Sequence, residues 1–306
     1  MTDLVVETNA LTKKYGDRLA VDSVSMTVRR GEVYGFLGPN GAGKTTTLRM
    51  MLGLIRPTAG TASILGQPAG RTEVTSRVGA LIEGPGFFPY LSGRDNLRVL
   101  ARYRGLTDSV ANGALERVDL GDRGGDRFKS YSLGMKQRLG VAAALMGEPE
   151  LIVLDEPTNG LDPAGMADMR ALVVDLARGG QTVLLSSHLL AEVQEICDRV
   201  GVINGGRLLR ESTVAELRGD TTLRVRATPV DRALAVAMRV AGDDGVHVTD
   251  RGMVLDLPAS AAPDLTRQLV AADVDVHELA PMERTLEEVF FEMTTAAVDD
   301  ELETVS

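Results

Sequence analysis

Apolar and polar residues alternate over residues 4–32 of the chain. A period of two residues is typical of half-buried antiparallel strands, so the start of the chain is predicted to be rich in β-structure. After this region, short apolar segments separated by helical stretches occur at 33–37, 151–154 and 182–185. Alternating apolar strands and helices predict a core of parallel α/β units.

A mostly helical insert is predicted between about residues 82 and 127. A Gly/Pro-rich break at 83–89 precedes it, and Ser92 then follows as a candidate cap for a helix that runs through 97–103. Serine is favoured at this position because its hydroxyl accepts a hydrogen bond from the first helical N–H groups. Together with the residues after the insert, a helical subdomain is predicted at about 83–148.

The pattern predicts two domains. The first spans residues 1–219, closing with a short helix at 213–218, and a second, small α+β domain spans 220–298. Between 222 and 279 the order is strand, helix, two strands, helix and strand, which predicts a βαββαβ sandwich. A final amphipathic helix and an acidic disordered tail at 299–306 complete the prediction; the helix has on one face Leu286, Val289, Phe290 and Met293.

Composition argues against several classes of protein. A net charge of −10 argues against a nucleic-acid partner, because affinity for the phosphate backbone rests largely on Lys and Arg. No run of 18 apolar residues is present, so no membrane-spanning segment is predicted. The first ten residues contain no basic and apolar leader, so a cytoplasmic protein is expected. A single cysteine, Cys197, excludes an intrachain disulfide.

The sequence GPNGAGKT at 38–45 fits the pattern G-x-x-x-x-G-K-[ST] and lies between an apolar strand and a helix. Glycines let successive N–H groups point at phosphate oxygens, the helix start adds positive potential, and Lys44 adds a charge. Thr45 is predicted to bind Mg²⁺ through its hydroxyl. The predicted phosphate-binding residues are Gly38, Pro39, Asn40, Gly41, Ala42, Gly43, Lys44, Thr45 and Thr46.

Two carboxylates follow the apolar strand at 151–154. Ligands bind beyond the carboxyl ends of strands in open α/β sheets, so Asp155 and Glu156 are predicted to face the nucleotide. Asp155 is the candidate Mg²⁺ ligand, directly or through water. Glu156 is the candidate base that orients and deprotonates the attacking water.

The sequence YSLGMKQR at 131–138 resembles the signature motif of ABC-transporter ATPases. The resemblance implies that Ser132 and Gly134 cap the γ-phosphate of an ATP held by a second copy of the chain. Leu133 stands where the family usually has glycine, and Met135 where it usually has glutamine. A helix start capped by Ser132 is compatible with this role, since a helix N-terminus attracts anions.

Other positions match the family in chain order. Tyr15 resembles the aromatic residue that stacks on adenine, and His188 resembles the histidine that contacts the γ-phosphate. The sequence NGLD, which ends at Asp162, resembles the loop that joins the two nucleotide sites. The resemblance is close over residues 4–219. It implies a phosphate-loop ATPase with a mixed sheet core, an antiparallel β subdomain and a helical subdomain.

Glu83 departs from the family, which commonly has a glutamine touching Mg²⁺ and water at this place. It is either a further Mg²⁺ ligand or a structural loop acid. The sequence LIEGPGFFP at 81–89 resembles the bacitracin-exporter branch, which implies export of a peptide antibiotic or other drug.

The predicted function is ATP hydrolysis by a head-to-tail dimer that holds ATP and Mg²⁺ between its copies. The dimer drives a separate membrane permease, contacted through the helical insert and Glu83, at the inner face of the membrane. One alternative is a soluble ABC ATPase that remodels ribosomes or DNA. Another is a weakly hydrolysing ATP-binding regulator, which Leu133, Met135 and Glu83 keep open. Uptake in place of export also stays open.

Overall fold

The structure, a computed structural model, describes residues 3–84, 86–218, 222–250 and 252–282. The chain divides into two compact units, Met1–Thr213 and Val214–Ser306. The expected boundary near Gly219 lies outside the described residues, and the domain limits stay a prediction.

The first unit contains the predicted antiparallel start, parallel core and helical insert. Its elements, in chain order, are β1 (Leu4–Tyr15), β2 (Arg18–Val24), β3 (Thr27–Arg29), β4 (Val33–Leu37), α1 (Lys44–Met51), β5 (Ala59–Ile64), β6 (Gln67–Pro68), α2 (Thr72–Thr75), β7 (Val78–Leu81), α3 (Gly93–Tyr103), α4 (Asp108–Arg117), α5 (Leu133–Leu145), β8 (Leu151–Asp155), α6 (Pro163–Arg178), β9 (Thr182–Ser187), α7 (Leu190–Ile196), β10 (Arg199–Asn204) and β11 (Arg207–Thr213). A 3-10 turn at Phe128–Ser130 precedes α5.

The antiparallel sheet has the strand order β2-β1-β5-β6, with β3 also paired to β1. Its apolar residues face the core, where Leu11 and Val28 are fully buried, while Glu7 and Asn9 are exposed. This arrangement follows from the period-two alternation of the sequence. The β1–β2 hairpin pairs Tyr15 with Arg18 at its tip.

The larger sheet has the order β11-β10-β4-β9-β8-β7, in which β10, β4, β9, β8 and β7 run parallel and β11 is antiparallel. Strands β4, β8 and β9 are buried along their whole length. Parallel strands bring their carboxyl ends to one edge of the sheet, where ligands bind. This edge therefore receives the phosphate loop after β4, Glu156 after β8 and His188 after β9.

Side chains cap the starts of α3, α5 and α6. The Ser92 hydroxyl accepts a hydrogen bond from the Asp95 N–H at 3.0 Å, which confirms the predicted cap of α3. At the start of α5, Ser132 accepts from the Met135 N–H at 3.2 Å. Asp162 caps α6 by accepting from the Gly165 N–H at 2.9 Å. Such caps satisfy backbone donors and hold the helix starts in place.

The second unit has the predicted order βαββαβ. After a short helix α8 (Val214–Arg218) it contains β12 (Thr222–Thr228), α9 (Val230–Ala241), β13 (Val246–Thr249), β14 (Gly252–Leu255), α10 (Ala262–Ala271) and β15 (Asp275–Met282). The strands form an antiparallel sheet in the order β13-β14-β12-β15. Leu223 and Leu255 of the sheet form a core with Leu265 of α10. The predicted helix at 286–293 and tail at 299–306 lie outside the described residues.

A carboxylate joins three strand starts of the larger sheet. Glu150, just before β8, accepts hydrogen bonds from Arg77 at 2.5 Å and Arg30 at 2.8 Å, which precede β7 and β4. These hydrogen bonds, first from Arg77 and then from Arg30, lower the pKa of Glu150 from 4.5 to about 2. Because the folded-state pKa is lowered, the stabilisation is present above pH 4.5 and is lost as the pH falls toward 2.

Replacing this carboxylate should reduce the dependence of the unfolding free energy on pH below about 4.5. In Glu150→Gln, unfolding free energy at pH 7 should be lower by about 1 kcal/mol, a small value because the three side chains are partly exposed. The difference from wild type should disappear toward pH 2. Denaturant unfolding at several pH values measures it, with exposed Glu148→Gln as the control. A difference that stays constant from pH 7 to pH 2 would contradict the assignment.

Candidate active site

The phosphate loop at residues 38–45 connects β4 to α1, as predicted. Gly38 and Gly43 are among the positions of the loop that require glycine. A Cβ on Gly38 would lie 2.2 Å from the carbonyl oxygen of Ile203, and Gly43, which precedes α1, has a φ of 106°. The Gly206 N–H also donates to the carbonyl of Ala42 at 3.0 Å. The backbone path is thereby fixed, and the N-terminus of α1 is available to attract an anion.

Lys44 is almost completely buried at the mouth of this loop. Its ammonium donates to the carbonyls of Gly38 at 2.6 Å and Pro39 at 3.2 Å, and lies 3.0 Å from Oε1 of Glu156. The ammonium of Lys44 thus lies beside the first residues of the phosphate loop, held by backbone carbonyls and a carboxylate. It is positioned to exchange these partners for phosphate oxygens.

Glu156 and His188 meet at the carboxyl edge of the sheet. Nδ1 of His188 lies 2.6 Å from Oε2 of Glu156, whose backbone N–H donates to Oγ of Ser186 at 3.0 Å. The φ of Glu156 is 50°, in the left-handed region that residues other than glycine seldom adopt. In this conformation the carboxylate lies against both Lys44 and His188. Strained backbone conformations of this kind are often found at active sites.

Asp155 is buried beside them. Its Oδ1 accepts a hydrogen bond from Oγ of Ser186 at 2.5 Å, so one serine contacts the carboxylate of Asp155 and the backbone of Glu156. Mg²⁺ in nucleotide sites takes one or two carboxylates and completes its shell with water and phosphate oxygens. Asp155 and the Thr45 hydroxyl are the donor types that such a site needs.

The phosphate loop, the β1–β2 hairpin and Glu156 line an open cavity of about 460 Å³. It is lined by Tyr15, Arg18, Ala20, Asn40, Gly41, Gly43, Lys44, Thr45, Thr46 and Glu156. Tyr15 is half exposed, and the ammonium of Lys13 lies 5.0 Å from the centre of its ring. The structure therefore brings Tyr15 to the predicted phosphate residues, with Gly38, Pro39 and Ala42 completing the loop.

Glu83 lies elsewhere. It follows β7, its side chain is 63% exposed, and its carboxylate pairs with Arg49 of α1 at 2.5 Å. It does not line the cavity around Lys44. The described contacts of Glu83 thus tie the loop after β7 to the helix that follows the phosphate loop.

Ser132, Gly134 and Asp162 lie in a second cavity of about 470 Å³, formed by the starts of α5 and α6. Its lining is Ser132, Leu133, Gly134, Met135, Arg138, Gly160, Leu161, Asp162, Ala164, Gly165 and Asp168. None of these residues lines the cavity around Lys44. The predicted nucleotide-binding residues therefore form two separate groups within one copy.

The segment 156–162 connects the two groups. The Asn159 N–H donates to the carbonyl of Glu156 and the Leu161 N–H to that of Thr158, each at 3.1 Å. Thr158 is buried. Short turns and a buried residue hold this connection in a defined shape.

The two departures from the signature motif have different consequences. Met135 contributes its backbone N–H to the Ser132 cap, so the cap does not depend on the side chain at this position. Leu133 is 48% exposed, and its Cδ2 would lie 3.0 Å from a Cβ on Gly160. An apolar side chain at the rim of the second cavity thus packs against the segment that follows Glu156.

Sequence reasoning missed several residues at this edge. Arg18 and Ala20 line the first cavity because the hairpin turns back after Tyr15, and the turn sequence Gly16-Asp17 is the signal that could have placed them. Ser186 was not predicted either. A hydroxyl beside the sheet edge carries no distinct signal until β8 and β9 are known to be neighbours.

A phosphate loop on a central parallel strand, with two carboxylates ending the strand two places away in the sheet, defines a phosphate-loop NTPase. The family profile described as ABC transporter matches residues 21–159 of the chain. In the described part of the chain, no helix has the length and apolar character needed to cross a membrane.

Similar proteins extend the match beyond this segment. The bacitracin transport ATP-binding protein BcrA of Enterococcus faecalis is 46% identical over 219 residues, 70% of this chain and 71% of its own. The daunorubicin resistance ATP-binding protein DrrA3 of Streptomyces coeruleorubidus is 37% identical over 96% of this chain and 97% of its own. A dimeric, post-hydrolysis structure of the ATP-binding cassette MJ0796, bound to ADP and Pi, is 25% identical with a TM-score of 0.62, covering 69% and 99% of the two chains.

The chain belongs to the ATP-binding proteins of ABC transporters. The predicted family, fold class and ATPase activity are confirmed. ATPases of this family bind ATP and work as dimers with membrane permeases.

Proposed function

We propose that Glu156 is the catalytic base of this ATPase, that His188 assists it, and that two copies act head to tail to drive a permease. The position of the Glu156 carboxylate carries the proposal, since it lies 3.0 Å from Lys44 and 2.6 Å from His188 at the phosphate loop. A base at this place can take the proton of a water that attacks the γ-phosphorus.

The chemistry assigns each group a task. The water oxygen forms a bond to the γ-phosphorus, the bond to the β,γ-bridging oxygen breaks, and the water proton passes to Glu156. Lys44 and the N–H groups of the phosphate loop hold the phosphate oxygens and stabilise their negative charge. His188, held against Glu156, keeps the carboxylate oriented and places its imidazole toward the γ-phosphate.

Magnesium fits the same edge of the sheet. Asp155 and Thr45 would hold the ion, and Mg²⁺ when bound offsets the negative charge of the phosphates. Asp155 suits this task because Ser186 fixes one of its oxygens. Glu83 would have to leave its ion pair with Arg49 to join them. Tyr15 offers its half-exposed ring to the adenine base.

The second cavity supports a head-to-tail pair. Ser132 and Gly134 lie at the N-terminus of α5, where the helix dipole favours negative charge, but they are separate from the cavity around Lys44. In a pair, Ser132 and Gly134 of one copy would cap the γ-phosphate held by the other, with Asp162 at the shared boundary. Each site would then need both chains.

A groove of about 800 Å³ between the nucleotide core and the helical insert suits a permease segment. Leu54 and Tyr103, which both line it, are 63% and 91% exposed, so two large apolar side chains in one groove are open to a partner. Arg71 and Arg104 also line it, so the occupant we propose is a short amphipathic helix with acidic residues. Docking there would hold the chain at the cytoplasmic face of the membrane.

Export of a drug or peptide antibiotic is the transport direction we favour. Two similar proteins are named for bacitracin transport and daunorubicin resistance. The net charge of −10 further disfavours a nucleic-acid partner. The predicted second domain at 220–298 stays outside this proposal.

A charged residue introduced into the groove tests whether a permease binds there. When the chain is expressed together with a membrane permease of its own transporter, wild type should copurify with that permease from membranes. Tyr103→Asp should lower the recovered amount about tenfold or more, because it buries a charge in an apolar contact. ATP turnover of the chain alone should stay within about twofold of wild type, since Tyr103 does not line the cavity around Lys44.

The matched control is Val270→Asp, which changes another exposed apolar residue, in the second unit. It should copurify like wild type. Recovery of Tyr103→Asp at the wild-type level would reject the groove as the docking site. Retention of wild type on ribosomes instead of membranes would favour the remodelling alternative.

A further inference from the structure

A buried carboxylate lies behind the histidine of the site. Glu192, on α7, is 2% exposed, and its Oε2 accepts a hydrogen bond from Oγ of Ser187 at 2.7 Å. Ser187 is 1% exposed and directly precedes His188. Glu192 therefore acts on the backbone turn that carries the histidine, without lining the nucleotide cavity itself.

The same serine hydroxyl fixes the far side of this turn. Oγ of Ser187 accepts from the Leu189 N–H at 3.0 Å while it donates to Glu192. The residues on either side of His188, Ser187 and Leu189, are thus joined by a hydrogen bond to the Ser187 hydroxyl. A hydroxyl that both donates and accepts has its rotamer set by the two partners, so Glu192 determines where Ser187 can hold the Leu189 N–H.

The turn also contacts the phosphate loop. The carbonyl of Ser187 accepts from the Gly38 N–H at 3.2 Å, and the carbonyl of Gly38 accepts from Lys44 at 2.6 Å. A displacement of Ser187 would reach both His188 and the first residue of the loop. The distance of 2.6 Å between Nδ1 of His188 and Oε2 of Glu156 therefore depends on this arrangement.

Stability alone does not account for a carboxylate here. Oε1 of Glu192 is buried and has no hydrogen-bond partner in the part of the chain that the structure describes. A half-satisfied buried carboxylate costs free energy that an apolar side chain of similar volume would not. Such costs are concentrated at functional sites, and Glu192 contacts Ser187, the residue next to His188.

We propose that Glu192 is a positioning residue that holds His188 in register with Glu156 through Ser187. The inference rests on the proposed roles of Glu156 and His188. Glu192 itself does not line the cavity around Lys44. Its effect should therefore fall on the rate of the chemical step rather than on ATP binding.

Two substitutions separate hydrogen bonding from charge. Glu192→Met keeps the volume but removes the acceptor; it should lower kcat about tenfold or more, with KM for ATP within about twofold and an equal or higher Tm. Glu192→Gln keeps a carbonyl acceptor for Ser187 and should retain kcat within about threefold. Glu195→Met on the same helix, which loses an exposed ion pair with Arg170, is the matched control.

A double variant tests the route through Ser187. Ser187→Ala should lower kcat to a similar extent, and Ser187→Ala with Glu192→Met should be no worse than the more impaired single variant, because both remove the same hydrogen bond. Unchanged kcat in Glu192→Met, or a loss in Glu192→Gln equal to that in Glu192→Met, would overturn the inference. Additive losses would overturn it too.

The Glu156→Gln variant shows whether a negative result concerns only the positioning role of Glu192 or also the proposed catalytic base. If Glu156→Gln is inactive and Glu192→Met is fully active, only the positioning role is wrong. If Glu156→Gln keeps wild-type turnover, the assigned base is wrong, whatever the Glu192 variants do.

Discussion

Glu156→Gln should lower ATP turnover by about 10²-fold or more, because glutamine cannot take the proton of the attacking water. ATP affinity should be equal or tighter. The substitution keeps the size of the side chain and removes a negative charge, 3.0 Å from Lys44, that would face the triphosphate. Single-turnover hydrolysis and equilibrium binding of ATP measure the two effects separately.

The same variant should accumulate as an ATP-bound dimer. Light scattering against protein concentration should show dimers of Glu156→Gln with ATP, while wild type with ATP returns to monomers as it hydrolyses the nucleotide. Exposed Glu73→Gln serves as the control and should behave like wild type. Turnover in Glu156→Gln within threefold of wild type would reject the base assignment.

Two inactive variants should restore each other's activity when mixed. Lys44→Ala removes the cation of the phosphate loop, and Gly134→Asp adds a negative charge at the proposed trans cap, so each alone should have less than about 1% of wild-type turnover. In a mixed head-to-tail dimer, one site combines the intact Lys44 of one chain with the intact Gly134 of the other. Random mixing should then recover about a quarter of wild-type turnover if each site works independently.

Gly134→Asp is suitable because the position has space. A Cβ there has Leu161 as its nearest neighbour, at 3.9 Å, so the variant should fold normally. The control is Gly113→Asp on α4, where nothing lies within 4 Å, and it should keep full turnover. If Lys44→Ala and Gly134→Asp together remain inactive while each binds the other, the head-to-tail arrangement is rejected.

Local sequence signals accounted for much of the fold. The phosphate loop, the acids after β8 and the Ser92 cap were predictable because each depends on residues close in the chain or on one strand end. The βαββαβ order of the second unit followed from periodicity and turn residues.

Contacts set by side-chain rotamers and by packing between elements could not be predicted in this way. The Glu192–Ser187 hydrogen bond and the Glu83–Arg49 ion pair depend on rotamers and on how neighbouring elements pack. Lys44 and Glu156 are 112 positions apart (156 minus 44), and their contact exists only because β4 and β8 both flank β9. The family resemblance suggested roles for Ser132 and Asp162, but their shared cavity came from the three-dimensional packing of α5 and α6.

The short connection between Glu156 and Asp162 has a kinetic consequence for a head-to-tail pair. These residues are six positions apart, and the intervening turns are hydrogen-bonded around buried Thr158. Loss of the γ-phosphate at one site would shift a rigid segment that borders the partner's nucleotide. The two hydrolysis events in a dimer would then be correlated in time, and the release of one phosphate would change the waiting time for the next.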